Sequence, residues 1–183
     1  MKTISAFGKI LTLLAILFIM NSCTKDDSIS KDENKKITTQ GQAETAVWAV
    51  LYSVKSVAPM ESYPSYSNEK KNSFYSGYAT VNGIVQKQYG ISSSETYKNL
   101  SAQFTNFLEG STDPEITGTA TINGTIYYAN SSYSGSWNLS ASSIKLSGVI
   151  EDVVSISATF SSSINWTATI TCASGTYHVG SFD

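Results

Sequence analysis

From Phe74 onward the chain repeats with a period of two, and that repeat limits what it can fold into. In Ile116 to Tyr128 the even positions are Ile116, Gly118, Ala120, Ile122, Gly124, Ile126 and Tyr128, while the odd ones are mostly Thr. Alternation of this kind puts one face of a strand in a core and the other in water. Asn123-Gly124 matches the signal for a two-residue hairpin turn. A turn there would set Ile122 opposite Thr125 and Ala120 opposite Tyr127, mixing apolar and polar groups on one face. Running straight through keeps the face apolar, and a buried face fixes register strongly. The segment is therefore predicted to be one strand of about 43 Å.

The same alternation runs through Val154, Ile156, Ala158 and Phe160, and through Trp166, Ala168, Ile170 and Cys172. Trp137, Leu139 and Ala141 are odd, whereas Ile144, Leu146 and Ile150 are even. This parity switch predicts a bulge or turn at Ser142-Ser143. An internal repeat matches Gly77 to Val85 with Gly118 to Ile126, and Asn99-Leu-Ser-Ala102 with Asn138-Leu-Ser-Ala141. Two strands and their connections thus recur, with Ser155 to Ile170 as a degenerate third copy. Units of this length occur in propellers, but so few two-stranded copies fit an antiparallel meander of six or seven strands better. With 31 Ser and 19 Thr and only 14% charged residues, the outer face is hydroxylated rather than charged, as in a sheet with one wet side.

Before the strands, residues 42 to 58 read as one helix. Ala43, Ala46, Val47, Val50, Leu51, Val54 and Val57 form an apolar stripe at helical spacing. Thr39 with Gln42 fits a capping box and Pro59 ends the helix. Trp48, Tyr52 and Lys55 form a second row. It either packs against a curved sheet or touches a ligand. Glu61 to Ser73 reads as a loop. The predicted class is α+β, with the helix covering an open or partly closed barrel.

The first residues follow a different logic. Lys2 and Lys9 precede an apolar run from Ile10 to Met20, too short to span a bilayer and suited to a signal peptide. The run ends in Met20-Asn21-Ser22-Cys23. This resembles the lipobox of bacterial lipoproteins, which implies cleavage before Cys23 and acylation of that residue. Lys25, Asp26 and Asp27 resemble the export signal of Bacteroidota surface lipoproteins, implying display on the outer membrane. Asp27-Ser28-Ile29 resembles the O-glycosylation site of that phylum, at Ser28. The organisation expected is a signal peptide over 1–22, a lipidated tether over 23–37 and one domain over 38–183. An ordinary secretory signal with a coincidental Cys is the plainer alternative for the first segment.

Little here suggests catalysis. All 12 basic residues are Lys, so the bidentate guanidinium that reads phosphates is missing. With a net charge of −2 there is no basic footprint for nucleic acid. The one His, His178, alternates with Tyr177 and Val179 and is expected to face solvent. With Cys23 acylated, Cys172 lacks a disulfide or metal-binding partner and reads as a small hydrophobe. Glu151-Asp152 and Asp113/Glu115 read as solvated turn acids. No catalytic site, metal or cofactor is expected.

The aromatics remain. Tyr63 and Tyr66 lie in the first loop, and Tyr127, Tyr128, Tyr133 and Trp137 surround the Asn130 to Gly135 turn. Such rings suit carbohydrate or protein contacts, or else mark the core margin. The expected function is a non-catalytic binding module on the cell surface, joined to the membrane by acyl chains, with a protein or glycan target. The alternative is a carrier of a lipid or other apolar ligand between helix and sheet. A large lined cavity would favour the carrier over a flat surface binder.

Overall fold

The alternating segments pair in chain order. A computed structural model describes residues 35–59, 65–90, 92–162 and 165–181. Helix α1 (Gln40–Val57) precedes β1 (Ser65–Asn72), β2 (Ser76–Gln88), β3 (Ser93–Leu108), β4 (Glu115–Ala129), β5 (Ser132–Ser147), β6 (Asp152–Phe160), β7 (Trp166–Cys172) and β8 (Gly175–Gly180). The strands form one antiparallel meander of eight in the order β1 to β8.

The class is α+β, as the alternation predicts, with eight strands in place of six or seven. The additional strand is β1, in the segment read as a loop. Apart from buried Tyr66 it carries Glu69, Lys70, Lys71 and other exposed polar residues. It pairs with β2 alone, so it has no buried face from which a period could be read. Charges on a lone edge also discourage pairing with other chains.

Glu115 to Ala129 is a single strand, and the hairpin falls at Asn130-Ser131, both with positive φ. The predicted bulge is present: register shifts between Ala141 and Ile144, with Ser143 at φ 55°. The capping box of Thr39 and Gln42 is also present. The apolar stripe of α1 is fully buried against the concave side of the sheet. There the helix touches β3 and β4 as well as β7 and β8. A flat sheet could not reach it from both sides, so the sheet curls around the helix. It remains open, because the described residues form no pairing between β1 and β8.

The chain enters this body at a fixed point. Ile37, read as part of the tether, is fully buried. Its N–H donates to Asp152 Oδ2 at 3.3 Å, and its carbonyl accepts from Ser174 Oγ and from Tyr177 Oη at 3.3 Å. Glu151 N donates to Lys35 O at 2.9 Å, and Lys35 Nζ meets Glu151 Oε1 at 2.7 Å. Asp152, expected to be a solvated turn acid, is thus buried, with backbone N–H groups of Ile37 and Val153 as its partners. Cys172 is half-buried at the core margin, and His178 is exposed as expected.

Candidate aromatic site

One register row gathers four large rings. Tyr97 on β3 faces Gly124 on β4, which faces Trp137 on β5, then Phe160 on β6 and Trp166 on β7. The four side chains point to the concave side toward the end where β4 turns into β5. Trp137 stacks on Phe160 with centroids 4.2 Å apart, and Phe160 stacks on Trp166 at 5.6 Å. Tyr97 meets Trp137 edge-on at 5.6 Å. From α1, Trp48 sets its edge on Phe160 and on Trp166, with centroids 5.8 and 5.0 Å away. Tyr52 stacks on Trp48 at 5.5 Å. The helix row of Trp48, Tyr52 and Lys55 therefore both packs on the sheet and reaches solvent, with Tyr52 63% exposed.

Gly124 makes the row possible. Its φ is +127°, and a Cβ there would lie 2.4 Å from Ser136 O and 2.7 Å from Trp137 Cα. Any side chain would push Trp137 out of the row.

Between helix and row lies a pocket of about 340 Å³, lined by Trp48, Leu51, Tyr52, Lys55, Glu95, Ile126, Tyr133, Trp137, Phe160 and Ser162. That is near the lower end for small-molecule sites, roughly 300–1,000 Å³. Its polar groups are few and ordered. Lys55 Nζ pairs with Glu95 Oε1 at 3.1 Å and lies 4.8 Å from the Trp137 ring centroid. The same Glu95 oxygen accepts from Tyr97 Oη. Burial, then the Glu95 charge and this hydrogen bond, hold the Tyr97 phenol far above the ordinary tyrosine range. The indole N–H of Trp137 is buried and has no hydrogen-bond partner. A buried orphan donor costs about 1–3 kcal/mol. A second hollow of about 210 Å³, lined in part by Glu109 and Asp113, flanks the other side of the Trp48–Tyr52 stack.

The structure sorts the aromatics picked from sequence. Trp137 and Tyr133 line the pocket. Tyr128 pairs with Tyr133 at 4.9 Å, and Tyr127 is exposed nearby, both outside the lining. Tyr66 does not belong to a surface patch: it is buried and donates to Pro59 O at 3.2 Å. Tyr63 lies outside the described residues, as do Cys23, Lys25, Asp26, Asp27 and Ser28. Glu95, Phe160, Leu51, Ile126 and Ser162 are absent from the sequence candidates. The signal for Phe160 is present in the meander: Phe160 ends β6, Trp166 starts β7 and Trp137 lies in the first half of β5, so all three meet toward one end.

Among the described residues no three His, Cys, Asp or Glu side chains gather to hold a metal, and no helix is long and apolar enough to cross a membrane. Compared with protein-family models, curated proteins and solved structures, the chain matches none. The site therefore has to be read from its own geometry.

Proposed function

We propose that this is an acylated surface lipoprotein whose domain binds a glycan, without catalysis, in the aromatic pocket between α1 and the sheet. The observation that carries the reading is a pocket walled by Trp48, Tyr52, Trp137 and Phe160 with the Lys55–Glu95 ion pair at its side. A sugar ring has an apolar C–H face to lie on Trp48 or Tyr52. Its hydroxyls both accept and donate, so one ring can meet an ammonium and a carboxylate together. The second hollow beyond the Trp48–Tyr52 stack gives room for a further unit of the same chain.

A lipid or other apolar ligand is the competing occupant, and the size of the pocket admits it. It would cover the rings but take the Lys55–Glu95 pair out of water with no hydroxyls in exchange, a desolvation cost that aromatic burial must first offset. The anchor rests on the Met20 to Cys23 resemblance and display on Lys25, Asp26 and Asp27. Probing a glycan microarray with the protein tests the pocket. Specific spots that disappear in Trp48→Ala support it; an array on which both proteins behave alike refutes it. Protease shaving of intact cells tests display, since a protein cut only after lysis faces inward.

A further inference from the structure

A meander sorts its turns into two ends. Those following β1, β3, β5 and β7 share one end, and those following β2, β4 and β6 share the other. The aromatic pocket opens at the second end, beside Glu95, Tyr133 and Ser162. The chain enters at the first end, where Lys35 and Ile37 are bonded to Glu151, Asp152 and Ser174.

The first end also carries apolar side chains that serve no core. Phe74 is 83% exposed and Tyr75 54%, their rings 5.1 Å apart at the tip of the β1–β2 turn. Val149 and Val153, 49% and 54% exposed, flank the β5–β6 turn. Lys36, Lys145 and Glu151 lie beside that second group. Single exposed hydrophobes are ordinary. Protruding apolar tips on separate turns of one end are the pattern of a surface that meets lipid headgroups.

We propose that the first end rests on a lipid bilayer, with Phe74 and Tyr75 at the boundary of headgroups and acyl chains and the pocket held away from the membrane. This depends on the acyl anchor proposed above, and the point of entry gives it a direction. From Cys23 to Lys35 the chain reaches at most about 40 Å. The 16 residues of β5 rise about 53 Å. A link shorter than the body it holds excludes full inversion, and the exposed apolar tips at the entry end select that end for the bilayer.

The test uses the full acylated chain in phosphatidylcholine vesicles, with and without bromine on the acyl chains. Phe74→Trp and Val149→Trp place reporters at the first end, and Tyr89→Trp places one at the second. All three sites are exposed or lie in turns, so folding is preserved. Flotation with the vesicles, together with loss of most of the added emission at positions 74 and 149 and none at 89, is the expected result. A protein that floats but whose Phe74→Trp emission ignores the brominated lipid overturns the orientation and leaves the anchor standing. A protein that does not float overturns both.

Discussion

The backbone N–H of Asn99 donates to the side-chain Oδ1 of Asn123 across β3 and β4 at 3.2 Å. One strand pair away the relation recurs, with Asn68 N donating to Asn82 Oδ1 at 2.8 Å. Asn68 and Asn99 both have positive φ and sit in register shifts. The bulges at Asn106 and Ser143 follow the same rule, their N–H groups bonding Thr117 Oγ1 at 3.1 Å and Ser155 Oγ at 3.4 Å. A bulge frees a backbone donor and bends the strand. Here a side chain on the following strand accepts each freed donor, so the sheet curls without losing the hydrogen bond. The repeated Asn-Gly in the sequence is thus a bulge acceptor followed by a close-approach glycine, not a hairpin.

Replacing Asn123 with Ala should therefore destabilise the fold by about 1 kcal/mol, the typical net worth of one partly solvated hydrogen bond. Asn123→Asp keeps an acceptor and should lose less. Urea denaturation followed by far-UV circular dichroism measures both. Equal losses in the two variants would show that the acceptor is not what matters.

Gly124→Ala should be far worse, at about 3 kcal/mol or more, since it combines left-handed strain with overpacking. The added carbon would meet Ser136 O and Trp137 Cα, so near-UV circular dichroism from the tryptophans should change as well. A variant with native stability and an unchanged near-UV spectrum would remove Gly124 from the account of the aromatic row.

The Tyr97 phenol is held above its ordinary range mainly by burial. The folded state therefore keeps its proton when the unfolded state would release it. This contribution is intact below the ordinary tyrosine pKa of about 10 and falls away as pH rises beyond it. Spectrophotometric titration of the native protein should show the same phenolate amplitude in Tyr97→Phe as in the parent, whereas Tyr127→Phe should lose one tyrosine's worth. A reduced native amplitude in Tyr97→Phe would place that phenol in solvent.

Lys35 holds the Glu151 carboxyl below its usual range, chiefly through their hydrogen bond. The sign is that of a depressed acid: its contribution is present above the ordinary Glu value and is lost as pH falls through the folded one. Because the pair is solvent-exposed, Lys35→Met should raise the Glu151 midpoint in a carbon-detected NMR titration while leaving the melting temperature nearly unchanged. A midpoint that does not move would detach the entry segment from the β5–β6 turn.

How much of this was legible depends on what each residue touches. Ile116 to Tyr128 could be read because one face is buried along its length, so a slip of one residue would expose every apolar side chain. β1 was hidden for the opposite reason: an edge strand with only Tyr66 inward has no alternation to display. Trp137 reads as a binding ring beside a turn and proves to be a pocket wall, because sequence gives its face and not what covers it. Glu95 could not be found at all. Its role comes from Lys55 and Tyr97, distant in sequence from one another and joined only by the curl of the sheet.

The central claim is that the pocket holds a sugar ring, and the chain's three tryptophans all lie in or against it. Intrinsic tryptophan fluorescence during titration with soluble glucose, xylose and mannose oligosaccharides, and separately with palmitate, tests it most directly. The account predicts a saturable change with at least one oligosaccharide. Lys55→Met, which keeps the stem and removes the ammonium, should weaken binding about tenfold, the equivalent of one hydrogen bond. Tyr127→Phe should leave it unchanged. Saturation by palmitate alone, with every sugar silent, would contradict the claim and make the domain a carrier.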